Sequence, residues 1–362
     1  LIESSDMPYK TALGHTYDSG DFKKNLNLAL EKSNFENFEE RKKISLQNNK
    51  LRGIGISTYI EACGGGGPEY ATISLGKNGN IEVKIGTQSN GQGHATTYAQ
   101  IVADVLDIDI DLIDIIQGNS KEIIKGSGTG GSRSMPVGGS ALYKACKEFF
   151  IKSKEILASS LSIKSNSLDY EKGIFIHEKK SYSLTDILEI SNKNNQPLEV
   201  FSEWTPPLNT YTYPNGTHIC ELEIDKNTGT TKIITYTVVD DFGKVINPLL
   251  LEGQVHGGIV QGIGQALFEE TIYDKETGQL LTGSFMDYAI PRASDLPNFN
   301  FYYNEILCKT NLLGVKGAGE AGAIGSPPAV INALCNAIDV DHIDMPAKPI
   351  KIWNIINSKK KS

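Results

Sequence analysis

The feature that most limits what this chain can fold into is the way its glycines are bunched. Thirty-six of 362 residues are glycine, about a tenth against an average near 7%. Four windows that carry them lie at 87–97, 126–136, 253–265 and 314–325. Glycine weakens a helix or strand interior by roughly 0.5–1 kcal/mol, and it suits places where backbone turns sharply or approaches something closely. These windows therefore predict loops and helix starts shaped by a close backbone approach.

The length fits about two domains of roughly 150 residues. With 39% hydrophobic and 22% charged residues, wholesale disorder is excluded. Lys and Arg number 35 against 43 Asp and Glu, a formal charge of −8. That balance argues against nucleic acid as a partner, because a phosphate backbone needs a basic stripe. The basic run Lys359, Lys360 and Lys361 reads as a solvated tail. Cys63, Cys146, Cys220, Cys308 and Cys335 are odd in number, widely spaced and free of any CxxC. Reduced, mostly buried thiols are expected, with no disulfide framework and no zinc or iron–sulfur site. No apolar run nears the ~20 residues of a membrane span. Leu1 to Asp6 has neither the basic nor the apolar region of a signal peptide, and it lacks an initiator Met. A cytoplasmic location is expected, for a chain that reads as a piece of a longer one.

Hydrophobic periodicity predicts one or two exposed helices over 21–50, carrying Leu26, Leu30 and Phe38. Strands follow over 53–62, 70–75 and 81–85, the last two joined by the hairpin signal Lys77-Asn78-Gly79-Asn80. A helix is expected over 93–106, a strand over 112–116 and a long amphipathic helix over 135–161, before a polar stretch at 162–200 that reads as a boundary or surface insertion. The second half repeats the scheme, with hairpin strands over 218–224 and 231–239, a glycine-punctuated helix over 251–269, short strands over 271–273 and 279–281, and a last helix from Pro327-Pro328 to about Ile338. The mixture predicts an α+β fold of two similar lobes, mostly antiparallel sheet with helices, divided into 1–200 and 201–362. Gly91-Gln92-Gly93-His94 and Gly253-Gln254-Val255-His256 each open a predicted helix after a β region. This echo points to an old duplication whose helix starts face one cleft.

Each window carries a chemical reading. In the first, free N–H groups at a helix start suit phosphate or a polar ring edge, and Gln92 adds an amide; a plain helix cap by Asn90 or Thr87 is the equal alternative. His94, with no second His at ligand spacing, reads as structural, and no protein side chain is assigned to a metal. In the second, Gly131, Ser132, Arg133 and Ser134 ahead of a helix read as an anion site. It is not a Walker A loop, because Gly-Lys-Ser/Thr is missing. In the third, glycines inside a helix imply a close neighbour, a second helix or a ligand. The fourth formally satisfies GxGxxG at Gly317 to Gly322, but Glu320 would face a pyrophosphate there and the chain ends too soon for a βαβ unit. A carboxylate set between glycines reads instead as a base presented into a pocket, with an exposed surface Glu as the alternative.

Taken together, Asn90 to Gln100, Gly131 to Val137, Gly257 to Gly264 and Gly314 to Gly322 resemble the motifs of the molybdenum hydroxylases, in that family's order. The family includes xanthine dehydrogenases, aldehyde oxidoreductases and the large subunit of aerobic carbon monoxide dehydrogenase. The chain resembles about the C-terminal half of such a subunit, the N-terminal half with its substrate-selecting loop being absent. The resemblance implies a molybdopterin dinucleotide carrying molybdenum, in the cytosine form, at the interface of the lobes. Gln92 and Gly93 would approach the pterin. Gly131, Ser132, Arg133 and Ser134 would hold phosphates or pterin, Gln261 would contact the pterin–molybdenum end, and Gly319 would lie beside it. Glu320 matches the catalytic carboxylate, the base in a hydroxylation that draws its oxygen from water. Tyr59 and Glu61 fall where the family lines its substrate funnel. The substrate would be an aldehyde, an N-heterocycle or carbon monoxide, with iron–sulfur and flavin (FAD) groups on partner subunits or domains taking the electrons. The competing expectation is a non-catalytic homologue that keeps the fold as a scaffold or assembly module.

Overall fold

The computed structural model describes residues 1–76 and 79–359. The expected turn residues Lys77 and Asn78, and the tail residues Lys360 and Lys361, lie outside the described residues. A short antiparallel pair, β1 (Tyr9–Lys10) and β2 (Thr16–Tyr17), leads into helices α1 (Phe22–Lys32) and α2 (Phe38–Gln47). Next come β3 (Lys50–Ile60), β4 (Glu69–Leu75), β5 (Ile81–Ile85), α3 (His94–Leu106) and β6 (Ile113–Ile116). A π-helical turn, Ser134–Gly139, opens α4 (Ser140–Leu161), followed by β7 (Asp169–Glu171), β8 (Ile174–His177), β9 (Lys180–Ser183), α5 (Leu184–Lys193) and β10 (Glu199–Trp204). The remainder is β11 (Asn215–Asp225), β12 (Thr231–Asp241), α6 (Pro248–Leu267), β13 (Phe299–Tyr303), α7 (Ala321–Ile338) and α8 (Pro349–Lys359).

Two four-stranded sheets, ordered β10-β4-β5-β6 and β13-β12-β11-β3, carry the molecule. They are built alike. Each has a central antiparallel hairpin, β4–β5 or β11–β12, then a helix, α3 or α6, and a strand running parallel to the hairpin's second strand, β6 or β13. Each then adds a helix, α4 or α7, and an antiparallel strand beside the hairpin's first strand, β10 or β3. The expected pair of similar α+β lobes is therefore present. The edge strand follows its unit in the first lobe and precedes it in the second. β3 is in register with β11 from Lys50↔Asp225 to Ile60↔Asn215, so a cut at residue 200 does not follow the sheets.

Alternation gives each strand one face for its core. Ile73, Val83, Ile101, Leu142 and Phe149 are packed in the first lobe, and Leu222, Val238, Ile259 and Val330 in the second. A smaller cluster of Ala29, Phe38, Ile54, Ile219 and Val239 covers the opposite face of the second sheet beneath α1 and α2.

Three expectations are corrected. The polar stretch 162–200 is part of the first lobe: β7, β8 and β9 form a small sheet, and β10 pairs with β4. Its lysines face solvent, while Phe175, Ile187 and Ser191 are fully buried. The short strands near 272 and 280 reduce to one bridge, Tyr273↔Leu280. α7 starts at Ala321 and runs through Pro327 and Pro328, where a proline break would be expected. Its first turns are held by α6. A side chain on Gly258 would start 3.0 Å from Gly322 Cα, and one on Gly262 would start 1.9 Å from Ser326 Oγ. Helix-on-helix packing thus accounts for the inner glycines of the third window. No helix among the described residues is long and apolar enough to cross a membrane.

Candidate functional site

The four windows meet around a cleft of about 300 Å³ between the lobes, at the small end of ligand sites. The loop into α3 contributes Gln92 and the first residue of α3 is His94, the 129–136 loop contributes Gly131, Ser132 and Ser134, the start of α6 contributes Asn247 and Gln254, and the last window contributes Gly319 and Glu320. The α6 start is tied to the middle of α3, Asn247 Nδ2 donating to Gln100 Oε1 at 3.0 Å.

At α3 the cap residue is Gly93, with φ +78° and no side-chain cap. Neither Thr87 nor Asn90 caps the helix; the Thr87 hydroxyl instead bonds the Tyr98 hydroxyl at 2.6 Å. Gln92 Oε1 accepts from the Asn90 amide at 2.5 Å, which orients Gln92 along the loop. His94 is buried against Tyr98, burial lowers its pKa, and its Nδ1 has no protein partner.

The second window divides its labour. Gly131 and Ser132 both have positive φ, +60° and +53°. Ser132 Oγ accepts the Gly319 amide at 3.1 Å and joins the two loops. Ser134 Oγ bonds Thr129 Oγ1 at 3.2 Å. Arg133 does not face the cleft. Its Nη1 donates to Glu69 Oε2 at 2.7 Å and Gly128 O at 2.9 Å, and its Nη2 donates to Pro68 O at 2.8 Å and Gly67 O at 3.2 Å. Glu69 is fully buried and also accepts the Ser127 and Tyr70 amides. A buried carboxylate requires a charge partner, and Arg133 is that partner. Among the described residues it anchors this loop and does not line the cleft where a phosphate ligand was expected.

Gln261 is likewise corrected. It is exposed and outside the cleft. α6 begins at Pro248, three residues earlier than expected, with Asn247 capping the Leu250 amide. Gln254, seven residues before Gln261 and so about 10 Å nearer the helix start, lines the cleft and donates to Gly319 O at 2.8 Å. The Gly253-Gln254-Val255-His256 echo carried that signal. Lys244, an exposed residue at the cleft, had no distinguishing signal in the sequence.

Glu320 is the residue before the first turn of α7 and caps nothing with its side chain, so its carboxylate sits at the positive end of the helix. It is exposed. Lys316, in the same window, is fully buried with its Nζ 2.5 Å from Asp241 Oδ2.

Comparison with known proteins gives the family. Residues 28–297 match the family model of the molybdopterin cofactor-binding domain. The chain is 32% identical to the carbon monoxide dehydrogenase large chain of Hydrogenophaga pseudoflava, over 98% of this chain and 47% of that protein. It is 33% identical to the 6-hydroxypseudooxynicotine dehydrogenase complex subunit gamma of Paenarthrobacter nicotinovorans, over 98% of this chain and 46% of that protein. In three dimensions it superposes on quinoline 2-oxidoreductase from Pseudomonas putida 86 with a TM-score of 0.90 at 30% identity, covering 99% of this chain and 48% of the other. The chain thus spans about half the length of the relatives it matches, and it belongs to the family of molybdopterin cofactor-binding domains.

Proposed function

We propose that the chain is the molybdopterin-binding part of the large subunit of a molybdenum hydroxylase, oxidising a small substrate at an electrophilic carbon with water as oxygen source. The observation that carries this is Glu320, presented into the cleft on a loop held from both sides by Ser132 and Gln254. The cleft also fits an anionic cofactor. The α3 start has no side-chain cap, His94 Nδ1 is buried without a partner, and side chains on Gly91 and Gly131 would meet nothing within 4 Å.

Gln92, Gly93, Gly131, Ser132, Ser134 and Gln254 would hold the cofactor, in the cytosine dinucleotide form, with Lys244 meeting phosphate charge at the cleft. When bound, the cofactor supplies two-electron redox chemistry. The protein's own part is to orient it through backbone N–H groups and amide side chains, and to take up a proton on the Glu320 carboxylate. Iron–sulfur and flavin partner subunits receive the electrons. A cytoplasmic setting fits the five free cysteines.

The test is to express the full large subunit with its partner subunits and measure molybdenum and turnover. Wild-type protein without near-stoichiometric molybdenum would overturn the reading. Glu320→Gln should keep its molybdenum and lose turnover by about 10²–10⁴-fold, the usual contribution of a positioned base. Loss of the metal instead would make Glu320 structural.

A further inference from the structure

The window that carries Glu320 meets the first lobe at a second place, outside the lining of the cleft. Ser140 opens α4 just after the π-helical turn and is fully buried. Its Oγ donates to Pro136 O at 2.6 Å and accepts the Leu312 amide at 3.2 Å. A hydroxyl has one proton to give and lone pairs to receive, so this side chain serves both lobes at once. Leu313 adds a packing contact beside it. Its side chain packs against the first lobe's core, although the residue belongs to the second. A side chain on Gly139 would start 2.7 Å from Leu313 Cδ1. Gly139 has ordinary helical angles, φ −61° and ψ −36°, so what it supplies is space.

The chain between this contact and Glu320 is braced along its length. Asn311 closes the first turn: its Oδ1 accepts the Leu313 and Val315 amides, each at 3.2 Å, and its Nδ2 donates to Val315 O at 2.8 Å. Val315 bridges Gly243, and the Lys316 amide donates to Phe242 O at 2.7 Å. The Gly317 amide donates to Thr212 Oγ1 and the Gly319 amide to Ser132 Oγ, both at 3.1 Å. Ser132 and Ser140 stand on either side of the π-helical turn Ser134–Gly139. One short stretch of the first lobe therefore holds the Glu320 window at both ends, at Leu312 and at Gly319. That stretch also supplies Ser132, Ser134 and Pro136 to the cleft.

We propose that Ser140 is a positioning residue, which together with Leu313 seated against Gly139 forms a joint through which the first lobe sets the place of Glu320. The role rests on the reading of Glu320 as the base. The test uses the assembled enzyme. Ser140→Ala takes away the acceptor of the Leu312 amide. Amide hydrogen exchange over 312–320 should quicken by about fivefold, the worth of one hydrogen bond, with the rest of both lobes unchanged. With whichever of carbon monoxide, benzaldehyde and quinoline the wild-type enzyme oxidises, kcat should fall about tenfold, while KM and molybdenum content stay at wild-type values. Gly139→Ala is the second variant. It keeps both Ser140 bonds and presses only on Leu313, so it should act in the same direction. Adding Leu313→Val removes the pressed atom, and the double variant should behave like Leu313→Val alone.

Unchanged exchange over 312–320 in both Ser140→Ala and Gly139→Ala would overturn the proposal. So would exchange that quickens evenly through both lobes, which would make Ser140 a general prop of the fold. Molybdenum that falls in step with kcat would mean that Ser140 serves the cofactor loop and not Glu320. Simple additivity of Gly139→Ala and Leu313→Val would show that the two residues do not form a joint. Exchange is read whether or not cofactor is loaded, so it decides the joint, while the molybdenum content of wild type decides the functional reading.

Discussion

Each lobe sends a glycine-rich loop to the cleft, and each loop carries one basic residue that turns away from it. In the first lobe Arg133 grips Glu69 and three carbonyls from two neighbouring stretches of loop. In the second, Lys316 meets Asp241 and Ser19 O, fastening residues near the start of the sequence under the loop that carries Glu320. Asp241 is otherwise satisfied by the Gly243 and Ile306 amides and by Asn215. Arginine's planar fork gathers many acceptors close by, while lysine supplies one compact charge at the end of a flexible stem. The comparison teaches that neither buried cation faces the cleft. Both hold loops still, and in the function proposed above the attraction of an anionic cofactor would be left to backbone amides, amide side chains and Lys244.

The sharpest way to break this comparison is to remove the second-lobe cation. Lys316→Met leaves Asp241 charged and fully buried, and breaking such a pair costs about 3–5 kcal/mol. Denaturant unfolding should show the full loss. A variant as stable as wild type would mean that Lys316 is no anchor. Arg133→Lys is the milder counterpart. It keeps the charge beside Glu69 but gives up the fork, so roughly 1–3 kcal/mol should be lost with the unmet Gly67, Pro68 and Gly128 carbonyls. If Arg133→Lys instead lowered cofactor content without lowering stability, Arg133 would be a ligand after all.

The sequence showed the parts of this arrangement that are local. Alternation placed β4, β5, β11 and β12, glycine and a polar run placed the α3 start, and a carboxylate between glycines marked Glu320. What it hid depends on partners far along the chain. Glu69 lies 64 residues from Arg133, and nothing in the 126–136 window announces a buried carboxylate waiting for it. The pairing of β3 with β11 likewise crosses the whole first lobe. α7 was obscured by Pro327 and Pro328, which would end an isolated helix but are carried here by close contact with the glycines of α6. Two residues one heptad apart, Gln254 and Gln261, lie on nearly the same side of a helix. Periodicity alone could not choose between them; only the true start of α6 does.

That choice gives the smallest and most specific prediction. Gln254 is the second lobe's contact from the cleft side, as Ser132 is the first lobe's, and the two grip Gly319 at its carbonyl and its amide respectively. The Gln254 bond is solvent-exposed, so Gln254→Ala should change global stability by no more than about 1 kcal/mol. Its effect should fall on the loop instead, lowering molybdenum retention and turnover together. Gln261→Ala, two turns further along α6, should change neither. Equal effects from the two alanines would mean that the cleft extends past the second turn of α6. An effect from Gln261 alone would return that residue to the site and leave the Gly319 carbonyl without a functional partner.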